Sequence, residues 1–261
     1  MSSILLPRRY FNRPSGLVGL NREHGLAKFV TGAWIFGDQI TADLAGRNAP
    51  LQCVGHTRGP GHIRVPSGSG ASVLVGGGTQ FRADSEGTVL ARFRLLSTWS
   101  TGRVAPLFGF GNYVDAGDEL CLFGVRSHSG TGFTPRLDVT IRNADYVLYP
   151  WAGSTTIQPG VWVNAAFTVG ANGVAVIWKD GAQESLTAWT GGATTTTWIS
   201  GAMHPNWDKL RFKLAGTLDY QGTAFQDEVD TELIVYFNKR LGSAELKSIT
   251  VNPWQIFRVP E

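Results

Sequence analysis

The chain has 261 residues and a formal net charge of +3, with only 16% charged residues against 33 Gly, 9 Trp and 14 Phe. That length accommodates one large all-β domain or two small domains. The composition excludes disorder, which requires low hydrophobicity and high net charge, and the charge balance excludes a general field for polyanions.

Residues 1–25 read as an N-terminal arm. Pro7, Pro14, Gly16 and Gly19 interrupt an apolar-basic mixture without periodicity, and proline blocks both helix and central strand. Two outcomes are open for such an arm: docking on a neighbouring molecule, or folding back as a strand on its own domain. Docking would use Ile4, Leu5, Leu6, Tyr10 and Phe11 as apolar anchors and Arg8, Arg9 and Arg13 against acidic groups of the neighbour. The basic charge of this region forms no dense block and lacks RNA-binding aromatic motifs, so no nucleic-acid partner is expected. Ile4-Leu5-Leu6 is too short for the apolar core of a signal peptide, and no apolar run approaches the ~18 residues of a membrane span. Cytosolic synthesis without a membrane partner is therefore the expectation.

Residues 26–261 read as one domain. A short helix is expected near Gly25–Val30. From Val89 the period-2 signal of strands is clear: Val89, Ala91, Phe93 and Leu95 alternate with Leu90, Arg92, Arg94 and Leu96. ELCLFGV (119–125) is an apolar strand in which Cys121 reads as a small core residue. Two cysteines cannot build a structural zinc site of the CxxC type. In RLDVTIR (136–142), Leu137, Val139 and Ile141 face in while Arg136, Asp138, Thr140 and Arg142 face out. VWVNAAFTV (161–169), VAVIWK (174–179) and KLRFKL (209–214) are further strands, and Asp180-Gly181 is a hairpin signal. Ser243–Ile249 is the second expected helix, with Ser243 able to cap it. Glycine-rich stretches such as 66–72 and 191–197 are loops, because strand signals continue on both sides. The result is an all-β, antiparallel β-sandwich of about a dozen strands.

Three groups of residues carry candidate chemistry. Trp151, Trp189, Trp198 and Trp207 lie near loops and could stack on sugar faces, although a sandwich core also claims tryptophans. Asp115, Asp118 and Glu119 offer clustered oxygens of the kind calcium takes, or form a solvated hairpin turn with Gly117. The histidines are scattered, and no metal site or cofactor is expected. Glu228, Asp230 and Glu232 form an E-x-D-x-E run whose members share one face of a strand.

Four segments in order resemble the laminin-G-like, concanavalin A-like jelly roll. Ala42–Asn48 is similar to the family's early D-x-S-G-x-G-N element, and Gly160–Val169 to its W-H-H-V-A-x-T strand, with Asn164 and Ala165 where His is usual. Val176–Gly181 is similar to the V-x-L-Y-V-D-G strand and turn, and Phe225–Leu246 to the closing D-E-V strand. The resemblance implies a concanavalin A-like jelly roll over residues 25–250. The RR-aromatic arm (Arg8-Arg9-Tyr10-Phe11) and the tail Asn252-Pro253-Trp254-Gln255-Ile256-Phe257 also resemble bacteriophage virion proteins carrying this domain.

That second resemblance implies a non-enzymatic virion structural protein. It would be a capsid decoration or tail-associated protein, homo-oligomeric and docked through its arm onto other virion subunits, located in the virion after synthesis in the host cytoplasm. One alternative is a carbohydrate-binding module that attaches to surface polysaccharide. A second is a retaining β-glucanase-like glycoside hydrolase, whose E-x-D-x-E motif would make Glu228 the nucleophile and Glu232 the acid/base. Such carboxyls stand about 5–5.5 Å apart, whereas residues i and i+4 of a strand are ~13 Å apart at the backbone. Long Glu side chains would have to converge, and the same stretch fits the closing D-E-V strand with Asp227, Glu228 and Val229 in order, so the run is read as part of that strand with no catalytic residues assigned.

Overall fold

The computed structural model describes residues 13, 18–37, 43–47, 52–54, 57–65, 72–74, 84–99, 103–112, 119–127, 132, 134–142, 148–188, 195–196, 198, 210–214 and 228–259. Two antiparallel sheets, each of eight strands, face each other as a jelly-roll β-sandwich. In the first sheet the strand Thr88–Leu95 lies between Val163–Val169 and Val229–Phe237. The far edge of Val229–Phe237 is shared: residues 229–231 pair with His62–Val65, and 233–237 pair with Val30–Ile35. The second sheet runs, from one edge, Leu186–Ala188, Leu148–Thr156, Arg136–Arg142, Glu119–Ser127, Arg103–Asn112, Leu210–Leu214, Ser72–Leu74 and Gln52–Val54. Cys121 and Cys53 stand on strands four places apart in that order, about 19 Å at the usual strand spacing. This is far beyond the reach of a disulfide.

The main core fills the space between the sheets, as the alternation of each strand requires. Phe93, Phe167 and Tyr236 from the first sheet meet Phe108, Phe123 and Val139 from the second, all without solvent contact. Phe108 and Tyr236 stack with ring centroids 5.9 Å apart, and Phe123 and Phe167 at 5.6 Å. The Tyr236 hydroxyl accepts from Trp198 Nε1 and donates to Asp84 Oδ2, both at 3.1 Å, which satisfies two buried polar groups at once. Burial pushes the Asp84 carboxyl above its ordinary value, with the Tyr236 hydrogen bond and Arg47 opposing.

A second apolar layer lies on the outer face of the first sheet. Leu90, Leu233, Val235 and Phe237 are covered there by Leu246 and Ile249 of the helix Ser243–Val251 and by Trp254 and Phe257 of the tail. The strand Val229–Phe237 is thus buried on both faces along its whole length, which explains the unbroken apolar run Leu233–Phe237 in place of strict alternation. Gly242, not Ser243, stands at the helix N-cap, and Glu245 accepts its N–H at 2.8 Å and pairs with Lys239 at 3.0 Å. The expected Gly25–Val30 helix is a single 3-10 turn at Ala27–Phe29.

The sequence-derived turn at Asp180-Gly181 is present, with φ of 48° and 85° at its two residues, the left-handed pair that a two-residue hairpin needs. Asp43 of the early family-like element is 6% exposed, and its carboxylate accepts the backbone N–H of Ala33, Ala45 and Arg47. It ties its loop to the strand Val30–Ile35. Asp138 and Thr140, expected to face solvent, are buried instead, with Arg126 Nε 3.4 Å from Asp138 and the Thr140 hydroxyl donating to it at 3.1 Å. The outward side of their strand is therefore also covered.

Within the arm, Gly19–Leu20 pairs antiparallel with Phe257–Arg258, so this part folds back on its own domain. Ile4, Leu5, Leu6, Arg8, Arg9, Tyr10 and Phe11 lie outside the described residues. Arg13, expected to meet an acidic group on a neighbour, is taken up within the chain. It donates to the carbonyls of Phe36 (2.9 Å) and Gly61 and lies 3.7 Å from Glu232.

Gly37 and Gly61 make this seat: a Cβ on either would strike the Arg13 guanidinium. Gly61 also has φ +78° in the Pro60-Gly61 turn. Gly61→Ala is expected to cost about 2 kcal/mol, combining the left-handed penalty of roughly 1–2 kcal/mol with eviction of Arg13. Gly19→Ala, where the added methyl meets open space, is expected to stay within about 0.5 kcal/mol. Urea unfolding of the two variants checks both.

Candidate functional site

The E-x-D-x-E run is not at the rim of the fold. Its strand is interior to the first sheet, and a β-bulge between Thr231 and Leu233 leaves Glu232 as the extra, unpaired residue. The regular i, i+2, i+4 row is broken there. Glu228 precedes the strand and is half-buried, Asp230 is completely buried, and Glu232 is 8% exposed.

The groups that surround these carboxylates come from four separate stretches of chain. Period-2 alternation sets Arg92 and Arg94 on the outer face of the first sheet, on the same side as Leu90. Asp230 is the cross-strand partner of both Arg94 and Arg64. Its Oδ1 accepts from Arg64 Nε at 2.8 Å, and its Oδ2 accepts from Arg64 Nη2 at 3.1 Å and Arg94 Nη2 at 2.6 Å. His62 Nε2 is 3.5 Å away, so this histidine, classed as scattered from the sequence, belongs to the cluster. Burial pushes the Asp230 carboxyl up, but the hydrogen bonds from Arg64 and Arg94, with the charges of His62 and Arg64, reverse that and hold it below the ordinary carboxylate value.

Glu232 accepts from Arg92 Nε at 2.5 Å on one oxygen and faces Arg13 Nη1 at 3.7 Å on the other. Arg92 Nη1 donates to Asn164 Oδ1 at 2.8 Å. Asn164 in turn donates to the Thr250 carbonyl at 3.0 Å, and its backbone N–H donates to Asp180. Asn164 thus links the charged cluster to the C-terminal helix.

Trp162, just before the strand Val163–Val169, completes the cluster. Its half-buried ring lies under the guanidinia of Arg94 and Arg92, 4.8 and 5.2 Å from the ring centroid. His62 meets it edge-on at 6.1 Å. The outer face of the first sheet therefore has two halves: one apolar and covered by the helix and tail, the other a charged and aromatic surface partly open to solvent.

Of the tryptophans expected to offer a sugar platform, Trp151 and Trp198 are each 3% exposed and packed in the main core. Trp198 lies against Phe167 at 5.2 Å. Inward-facing positions of strand and loop place them there, and neither can stack on a sugar from solution. Trp189 and Trp207 lie outside the described residues. Asp115 and Asp118 also lie outside them, and Glu119 opens the strand Glu119–Ser127 opposite Gly111. Among the described residues no group of three or more His, Cys, Asp or Glu is placed to hold a metal.

Sequence reasoning missed Trp162, His62, Arg64, Arg92 and Arg94 as a group. The outward alternation of Arg92 and Arg94 beside a strand with three acids was the available signal. The pairing order that joins them was not. The Glu228/Glu232 reading as a nucleophile and acid/base pair gains nothing from this geometry, because Glu232 is held by Arg92 and Arg13 on the bulge.

No family model matches the chain, and no curated protein sequence matches it. Solved structures do. Trypanosoma rangeli sialidase aligns over 88% of this chain and 33% of its own, with 18% identity and a TM-score of 0.59. Its complex with sialic acid aligns over 88% and 34%, with 17% identity and a TM-score of 0.58. The Ruminococcus gnavus IT-sialidase CBM40 bound to α2,3 sialyllactose aligns over 76% of this chain and 100% of its own, with 16% identity and a TM-score of 0.54. The chain spans about a third of the length of the sialidases it matches. At these identities the likeness shows the fold. It also corrects the expectation of a non-enzymatic protein, since the same jelly roll occurs in sialidases and does not set a chain apart from enzymes.

Proposed function

We propose that this jelly roll is a carbohydrate-binding module whose ligand face is the charged half of the first sheet's outer surface, centred on Trp162. The observation that carries the reading is the Trp162 ring, held in place by two guanidinia while part of it remains in solvent. A fixed aromatic ring presents an apolar face to the C–H side of a sugar, and the polar groups around it hydrogen-bond the hydroxyls. Likeness to a carbohydrate-binding module over that module's whole length supports the choice. This reading takes precedence over a virion structural role, because the described residues among those that suggested that role act within the fold, while residues 4–11 lie outside the described residues. Arg13 is seated on Gly61 and Glu232, and the Trp254 and Phe257 side chains of the tail lie in the second core.

The test is a glycan array followed by calorimetry. The protein is expected to bind at least one saccharide, and Trp162→Ala is expected to weaken that binding at least about tenfold, roughly 1.4 kcal/mol, while circular dichroism and the melting temperature stay close to those of the parent. A parent protein that binds no saccharide, or a Trp162→Ala variant that binds as well as the parent, overturns the proposal.

A further inference from the structure

Resting on that reading, we infer that Arg92 and Arg94 form an anion subsite and that the ligand is an acidic saccharide whose carboxylate they take. Four guanidinia (Arg13, Arg64, Arg92 and Arg94) surround the carboxylates of Asp230 and Glu232. Among the described residues these four guanidinia face three carboxylates, those of Asp230, Glu232 and Glu228, the last acting on Arg64. The ion pairs do not use up the donors. Arg94 commits Nη2 to Asp230 and has its Nε enclosed, leaving Nη1 uncommitted among the described residues. Arg92 commits Nε to Glu232 and Nη1 to Asn164, leaving Nη2 uncommitted among those residues. A planar guanidinium holds its uncommitted donors in a fixed direction, so the free nitrogen of each arginine can give one charge-assisted bond to a carboxylate.

The two side chains are also already oriented. Each guanidinium is fixed by a carboxylate on one side and by the Trp162 ring on another, with side-chain exposures of 27% for Arg94 and 22% for Arg92. Little rotamer freedom remains to be lost when an anion arrives. Arg92 and Arg94 are two residues apart on one strand, so the subsite spans about 7 Å, the width of one sugar residue. The carboxylate would meet the guanidinia while the sugar ring lies along the solvent-facing part of Trp162.

Matched acidic and neutral saccharides test this: sialyllactose against lactose, and polygalacturonate against its carboxyl-reduced form, by calorimetry at low and high salt. The acidic member of a pair is expected to bind at least tenfold more tightly at low salt, and the difference is expected to shrink at high salt. Arg94→Gln and, separately, Arg92→Gln are expected to remove most of that difference, the acidic member losing at least tenfold more affinity than the neutral member. Because either change disturbs an ion pair, Arg92→Lys provides a second arm: it keeps the charge and is expected to recover only part of the discrimination. Equal binding of acidic and neutral members by the parent overturns the subsite and leaves the carbohydrate-binding reading standing. Binding of no saccharide overturns both. Equal binding of dextran sulfate or RNA overturns the subsite in favour of an unselective cationic surface.

Discussion

Asp230→Ala is expected to destabilise the protein by about 3 kcal/mol, the low end of the cost of breaking a buried ion pair by removing one partner. Asp230 is fully buried and receives three hydrogen bonds from Arg64 and Arg94. Without it, two guanidinia face each other beside His62, with Glu228 still acting on Arg64. Their partial exposure, 40% for Arg64 and 27% for Arg94, lets water relieve some of that cost, hence the low end. Urea unfolding at neutral pH measures it, and a loss under about 1 kcal/mol would place the network among solvated surface pairs.

The same carboxylate sets a pH dependence. Its folded value lies below its unfolded value, so on acidification the unfolded chain takes the proton first. The stabilisation is fully present above the unfolded value of about 3.9 and is lost as pH falls from there through the lower folded value. Glu245, also held low once the bonds from Gly242 and Lys239 outweigh burial, acts in the same direction. Asp84, pushed up by burial, acts in the opposite one. Between pH 5 and pH 2 the melting temperature of Asp230→Asn is therefore expected to fall less steeply than that of the parent.

Trp254→Ala is expected to cost about 3–5 kcal/mol, the usual range for emptying a fully buried tryptophan site. Trp254 is 1% exposed, lies 6.1 Å from the Phe257 ring, and shares the second core with Leu233, Val235 and Phe237 of the central strand. Its removal leaves a cavity under the helix and loosens the pairing of Phe257–Arg258 with Gly19–Leu20. For a domain of this size, 1 kcal/mol shifts the melting temperature by about 2–4 °C, so a drop of roughly 10 °C is expected by calorimetry. A drop of less than about 3 °C would show that the tail adds little to the fold.

How far the sequence could be read depended on the range of the interaction. Arg92, Arg94, Leu137 and Val139 were assigned to the correct side of the sheet, because a strand alternates with period two whatever it pairs with. Asp180-Gly181 was legible because a left-handed pair of residues is a property of the turn itself. The fates of the tryptophans were not legible. Trp151, Trp198 and Trp254 are buried, whereas Trp162 is half-buried. What separates them is whether a second layer covers their face of the sheet. Asp138 shows the same point, since it alternates outward as expected and is buried nonetheless.

The amino-acid sequence by itself determined an all-β sandwich, several of its strands, the C-terminal helix and the tight hairpin, because these follow from local periodicity and backbone preference. It also presented three carboxylates in a row without their partners. Only the tertiary structure decided what those carboxylates are. Strand order brings residues 62–64, 92–94, 162 and 230–232 to one face, and the bulge at Glu232 breaks the row. Charges that attract over 3 Å and screen over 10 Å acquire meaning only once the chain has closed that distance.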